Sequence, residues 1–529
     1  MIFNKFFIRA DAIFRRLYCG ERIKSDCNTF RERHVLSLMT RVLFRMLILF
    51  FVFPLQGVYG QTDNTPKFTG KDTVRTFAAD VQTECAAPEH AQEHATERAH
   101  AKKGVASFFI AATEVISANI ALNAFDSIVL NLDFTRVTPA IIWQHLSKNL
   151  WEWDQNTFVM NQAGHPYLGA VFFNAGRANG FNFYESFLFA LGGSLFWEEF
   201  METSNPSIND MIYTPLAGAV LGEALHRLFL ATNYRHMYAT WLISPQDAFN
   251  RFITGKRAPP VSGHVESIEL YASADALFRK THFAGADDSS GATFPAFGTG
   301  VKITYGNRYG HDTREPFDSF TLRADVSAFT TYYNVKLFID GLVFSFSPWE
   351  HLPCFSTFGI ALGYDMIFAS DVRYASSRLG VGLSQLCPVA DEAWTFTWDA
   401  YCGWDVLNTT ENNYYLAKLT NYAPRSKRTY DYYTGAFARL AFSVQNSYFG
   451  TLSIAATADF LFHIREKGKS AYDGLLLVQY AECRYEHLIW KSFYLGVSDF
   501  LYHKWNRYAK EPRVKFISNH VQLYGKVAL

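Results

Sequence analysis

Seven acidic and histidine side chains between residues 165 and 226 stand out in a largely apolar stretch as able to do chemistry: His165, Glu185, Glu198, Glu202, Asp210, Glu223 and His226. Carboxylates and imidazoles in that number can do acid–base chemistry, one group holding a proton while another accepts it. The plainer duty of the same residues is to cap helices, to pair with Arg177 and Arg227, or to bond buried backbone. Glu223 and His226 form a Glu-x-x-His pair, half of a di-iron carboxylate signature, but a second copy is absent, so no metal is called for. Ser186 and Ser194 lack the nucleophile-elbow pattern of serine hydrolases. No cofactor motif is present.

The elements that must position these groups are helices. Residues 182–201 predict one helix, with the like-charged Glu198 and Glu202 four apart, an arrangement that something cationic would relieve. Ser207 and Asp210 in the corner SNPSIND resemble a capping box and predict a second helix over 208–230, where Gly218 and Gly222 allow a neighbouring helix to come close. The glycine-rich run HPYLGAVFFNAGRANG is read as broken by turns. Residues 104–132 are helical in pattern, Pro139 opens another helix, and 246–251 add a short one. Uncharged runs of only about 12 residues argue that none of these helices spans a bilayer, which takes about 20.

Asn161, His165-Pro166-Tyr167, Gly169, Arg177, Asn179-Gly180, Glu185-Ser186, Trp197-Glu198, Glu202, Pro206-Ser207, Asn209-Asp210, Thr214-Pro215, Gly218 and Gly222-Glu223 together resemble the pattern of an uncharacterised bacterial domain family found in envelope proteins of bacteria with two membranes. The resemblance covers a quarter to a third of the chain and implies a location and an architecture, with no reaction attached. It adds Arg177, Asn179, Ser207 and Asn209 to the candidate site residues.

The second half has a different period. Leu322, Ala324 and Val326 alternate with Thr321, Arg323, Asp325 and Ser327; Leu452, Ile454 and Phe460 alternate with Thr451, Ser453 and Asp459; and Val521, Leu523 and Val527 alternate with His520, Gln522 and Lys526. Strands with one apolar and one wet face, 49 Phe and 29 Tyr, and a mean hydropathy of -0.05 fit a membrane β-barrel better than a helical membrane protein. Candidate strand starts near Val265, Phe297, Phe317, Asn334, Phe355, Ser377, Trp394, Tyr433, Leu452, Leu475, Phe493 and Val514 predict about twelve strands.

Ahead of these regions, Arg41 and Arg45, the apolar run Met46–Phe53 and the small residues Val58 and Gly60 have the form of a signal peptide ending at residue 60, with residues 1–38 a long or spurious extension. Residues 61–103 form a polar linker. The expected fold class is therefore an α+β membrane protein: a helical domain over 104–255, then an antiparallel transmembrane barrel of about twelve strands over 263–529. Equal totals of 49 basic and 49 acidic residues exclude nucleic acid as a partner on charge grounds. Outer-membrane lipids, the barrel-assembly machinery and a small-molecule solute remain as partners. Among the cysteines, one pair such as Cys354 with Cys387 or Cys402 could close in an oxidising compartment. The functional expectation is an outer-membrane barrel with a periplasmic or luminal helical domain, in transport or envelope organisation. The alternative is an envelope enzyme acting on lipid or glycan through the acidic and histidine cluster.

Overall fold

Twelve antiparallel strands close into a barrel in which each strand pairs with its sequence neighbours and β1 (Val265–Phe283) pairs with β12 (Val514–Ala528). Between them lie β2 (Ser289–Tyr305), β3 (Phe320–Phe329), β4 (Tyr332–Phe346), β5 (Phe355–Ala369), β6 (Arg373–Val389), β7 (Trp394–Glu411), β8 (Tyr430–Asn446), β9 (Gly450–His463), β10 (Gly474–Trp490) and β11 (Phe493–Tyr508). Closure leaves no unpaired edge, which is what a sheet needs where water cannot satisfy its backbone. The computed structural model describes residues 104–232, 237–283, 289–329, 332–348, 354–389, 393–416, 428–466 and 474–529. The expected signal peptide, extension and linker lie outside them. A disulfide joins Cys354 to Cys387, one of the pairings left open by the sequence.

Contacts between non-neighbouring strands identify the side chains that face the lumen. Arg378 of β6 reaches Asp459 of β9 at 3.1 Å, Lys504 of β11 reaches Glu411 of β7 at 2.8 Å, and Arg323 of β3 pairs with Glu482 of β10. The wet faces read in the sequence at 321–327, 451–459 and 520–526 are these inward faces. The end of the lumen where β1 starts and β12 finishes, here the terminal end, is polar. The far half is filled by a packed core containing Ile367, Tyr374, Tyr433, Leu461, Tyr480, Phe500, Tyr502 and Phe516.

Ahead of the barrel come α1 (Val105–Ile128), α2 (Pro139–Ser147), a π-helical turn (Met160–Gly164) leading into α3 (His165–Ala178), α4 (Phe183–Phe200), α5 (Asp210–Ala231), α6 (Met237–Ile243) and α7 (Pro245–Thr254). A one-turn α8 (Asn413–Leu416) follows β7. The run expected to be broken by glycines is the helix α3. Its Gly169 meets Gly218 of α5 so closely that a Cβ on Gly169 would stand 1.8 Å from the Thr214 carbonyl oxygen. These glycines serve close helix approach, as read for Gly218 and Gly222, and only Gly180, with φ at 89°, makes a turn. The expected Ser207/Asp210 capping box is absent, and α5 begins without a side-chain cap.

The bundle α3–α5 lies along the outside of the barrel, not in its mouth or lumen as expected. Asp365 faces the lumen, so Tyr364 and Phe368 on the same strand face out, and it is these that meet the helices. Tyr364 donates a hydrogen bond to the Gln162 carbonyl, and Phe368 stacks on Phe158 with ring centroids 5.6 Å apart. Outward-facing Tyr430 and Tyr432 bond Asn161, and the Tyr213 hydroxyl of α5 reaches the Leu407 carbonyl at 3.0 Å and the Thr409 hydroxyl at 2.9 Å, beside a bulge in β7.

The helices run the height of the wall. The start of α5 meets the far ends of β6 and β7 through Tyr213, and its end meets Ser262 and Pro316 at the terminal end through Arg227. Outermost is α1, long and apolar enough to cross a membrane. Glu114, Asn119 and Asp126 are all buried on the bundle side, while Val105, Phe109, Ile116, Ile120 and Ile128 are exposed.

Candidate functional site

Three helix termini meet at the far end of the bundle and bring part of the predicted set together. His165 opens α3, Glu198 lies in the last turn of α4, and Asp210 opens α5. Residues 12 and 33 apart in sequence become neighbours because α3, α4 and α5 alternate in direction, and one ligand atom from each lies within 4.8 Å of the others. His165 Nδ1 stands 3.6 Å from Asp210 Oδ1 and 3.3 Å from the Thr214 hydroxyl. Glu198 and Asp210 are 1% and 2% exposed.

The corner between α4 and α5 is pinned by the segment before α3. Glu152 N–H donates to the Pro206 carbonyl and Ile208 N–H to the Glu152 carbonyl, both at 2.9 Å. Ser207 N–H then donates to Glu198 Oε2 at 2.7 Å, and Asn209 Nδ2 to Asp210 Oδ1 at 2.8 Å. Asn209 Oδ1 accepts from the N–H of Asp154 at 2.8 Å, which holds a further carboxylate beside the cluster. Asp154 carries no motif and was not foreseen. Its only sequence signal is its place in the aromatic stretch WEWD. Glu202 also stands here, just past α4, and burial together with the Asp154 carboxylate pushes it up to about 8. Among the described residues no lysine or arginine side chain pairs with Asp154, Glu198, Glu202 or Asp210.

The other predicted residues sit at the terminal end, where Glu223 and His226 each have a charged counterpart. Glu223 lies between two guanidiniums, 2.8 Å from Arg177 Nε and 2.7 Å from Arg227 Nε. Arg227 also donates to the Ser262 and Pro316 carbonyls, both at 2.7 Å. His226 pairs with Asp247 of α7 at 2.7 Å. Asn179 joins Gln246 and Asn250 in bonding Glu114. Glu185 is no part of either cluster: with Asn182 it makes the capping box that starts α4. The seven acid–base candidates thus divide into a convergent group, His165, Glu198, Glu202 and Asp210, and structural residues Glu185, Glu223 and His226. Ser207 and Asn209 position the convergent group.

A closed antiparallel barrel with an apolar outside defines the class: an outer-membrane β-barrel, here carrying a helical bundle on its outer wall. Residues 150–241, which make up most of that bundle, match a family model described as Domain of unknown function (DUF3943). No curated protein matches the chain. Among solved structures it is similar to an outer membrane channel from Pseudomonas putida F1, at 9% identity and a TM-score of 0.27, over 51% of this chain and 97% of that one. The NanC porin gives 10% identity and a TM-score of 0.21 over 48% and 98%, and the toluene transporter TodX of P. putida 6% and 0.21 over 51% and 90%.

Proposed function

We propose that the protein takes up a small polar solute from the terminal side of the barrel, which is the periplasmic side when both chain ends face the periplasm, and that its helical bundle rides in the bilayer against the outer wall. The observation that carries this reading is a cavity of about 470 Å³ in the terminal half of the lumen, lined by Glu269, Lys302, Arg439, Glu482, Arg484 and Lys526 among others. Charges of both signs around one cavity suit a polar or zwitterionic solute better than an apolar one. The cavity ends on Phe338, Tyr480 and Phe500, the floor of the packed far half. Passage through the barrel therefore requires that floor to move.

In planar bilayers the purified protein is expected to hold near-zero conductance, and Tyr480→Ala with Phe500→Ala to open ion-conducting steps. Arg439→Glu added to that pair should shift selectivity toward cations. Folded plug variants that never conduct would contradict the reading. The envelope-enzyme reading retains only the convergence of His165, Glu198 and Asp210, since His226 is committed to Asp247 at the opposite end of the bundle. A Glu198→Gln variant that folds and leaves the cell's lipid profile unchanged would remove that reading.

A further inference from the structure

We infer that His165, Glu198 and Asp210 bind a divalent transition-metal ion. One imidazole and two carboxylates offer atoms within 4.8 Å of one another, the span over which three ligands can share one ion. The donor set comes from three separate helices, with Glu198 and Asp210 buried and His165 mostly covered, so it is a fixed cage and not a solvated acidic face. A buried carboxylate is costly unless a cation or several hydrogen bonds meet it. Here four carboxylates share one imidazole, and the Asp154 Oδ2 atom is buried with no hydrogen-bond partner. The Ser207 N–H bonds Glu198, and the Asn209 amide and the Ser207 side chain bond Asp210; such neutral donors orient a ligand without supplying a positive charge.

A second histidine–carboxylate group in the same molecule shows the contrast. Asp431, His463 and Glu466 also lie within ligand distance, but Arg428 enters that group, 2.7 Å from Glu466 Oε2 and 3.8 Å from Asp431. That group carries its own cation. The far-end site does not, and the one contact Arg428 makes there is to the Asp154 carbonyl, not to a carboxylate. Mixed nitrogen and oxygen ligands with one imidazole suit Zn2+ or Mn2+ and leave the thiolate-loving ions aside.

The test uses the full, untagged protein in detergent, stripped with chelator and then titrated with ZnCl2 or MnCl2. Bound metal is counted after gel filtration, and affinity is read by calorimetry. One equivalent is expected, with Glu198→Gln, Asp210→Asn and His165→Ala each weakening it by at least about tenfold, while Asp431→Asn leaves it unchanged. No bound metal, or an equivalent that survives all three site variants, would overturn the inference. Should the variants fail to fold, the zinc K-edge spectrum of the unmodified protein decides. One imidazole among oxygen ligands supports the site. Several imidazoles, as the run His90, His94 and His100 would supply, or any sulfur, refutes it.

Discussion

The barrel has two outer walls that face different partners. On the covered side, outward-facing Ile339, Ala375, Tyr430 and Tyr432 are fully buried beneath the helices or the chain beside them. On the open side, outward-facing Leu440, Phe460 and Leu523 are more than half exposed, at 63%, 55% and 57%. Both faces are apolar, so hydrophobicity alone does not decide which one the bundle takes. What differs is polar matching. The covered wall carries tyrosine hydroxyls and a strand bulge whose carbonyls accept from Tyr213, and these give the helices a fixed seat. If both apolar surfaces lie in the bilayer, as proposed, close packing and such bonds are what drive association.

The largest effect should follow from Gly169→Leu, because the new side chain meets the Thr214 backbone and cannot move it aside. Limited proteolysis should then release residues 104–255 while the barrel keeps its heat-dependent gel mobility. Next comes Glu223→Gln, which leaves the Arg177 and Arg227 guanidiniums without their anion and is expected to cost about 3–5 kcal/mol of bundle stability. Third, Ile339→Ala on the covered wall should weaken docking by about 2–4 kcal/mol, measured by the same protease release. Leu440→Ala on the open wall should leave docking unchanged, and equal effects of the two would erase the distinction between the walls.

Tyr213→Phe keeps the ring and removes the bonds to the bulge, a loss of about 1 kcal/mol. Smallest is Asp210→Asn in metal-free protein, where removing one of several crowded carboxylates should leave the unfolding temperature unchanged or raise it, a shift within about 1 kcal/mol. A loss for Glu223→Gln with none for Asp210→Asn separates a cluster that is balanced from one that lacks a cation.

The strands were legible because their signal is local. A side-chain period of two appears within any five residues, and the starts read at Val265, Phe355, Trp394, Phe493 and Val514 coincide with the observed ones. The helix ends at 183–200 and 210–231 were equally near the reading. What escaped depends on direction and distance. The glycines of α3 look like breaks until Gly218 is placed against them, and the charges of α1 look scattered until they are seen to face the bundle together. The same holds for the site. Seven ionisable residues could be picked out, but nothing in their spacing separated His165, Glu198 and Asp210 from Glu223 and His226. That separation came from helix direction, together with partners such as Asp154, Arg177 and Asp247 that lie elsewhere in the chain.

The seat of the helices on the lipid side of the barrel can be read directly with nitroxides on the exposed face of α1. Phe109→Cys and Ile120→Cys, each in a background where the cysteines outside the Cys354–Cys387 disulfide are serine, would be labelled and reconstituted in liposomes. Power saturation should show both labels open to oxygen and closed to a water-soluble nickel chelate. Labels that the chelate reaches as freely as oxygen does would place the bundle in water and contradict the account.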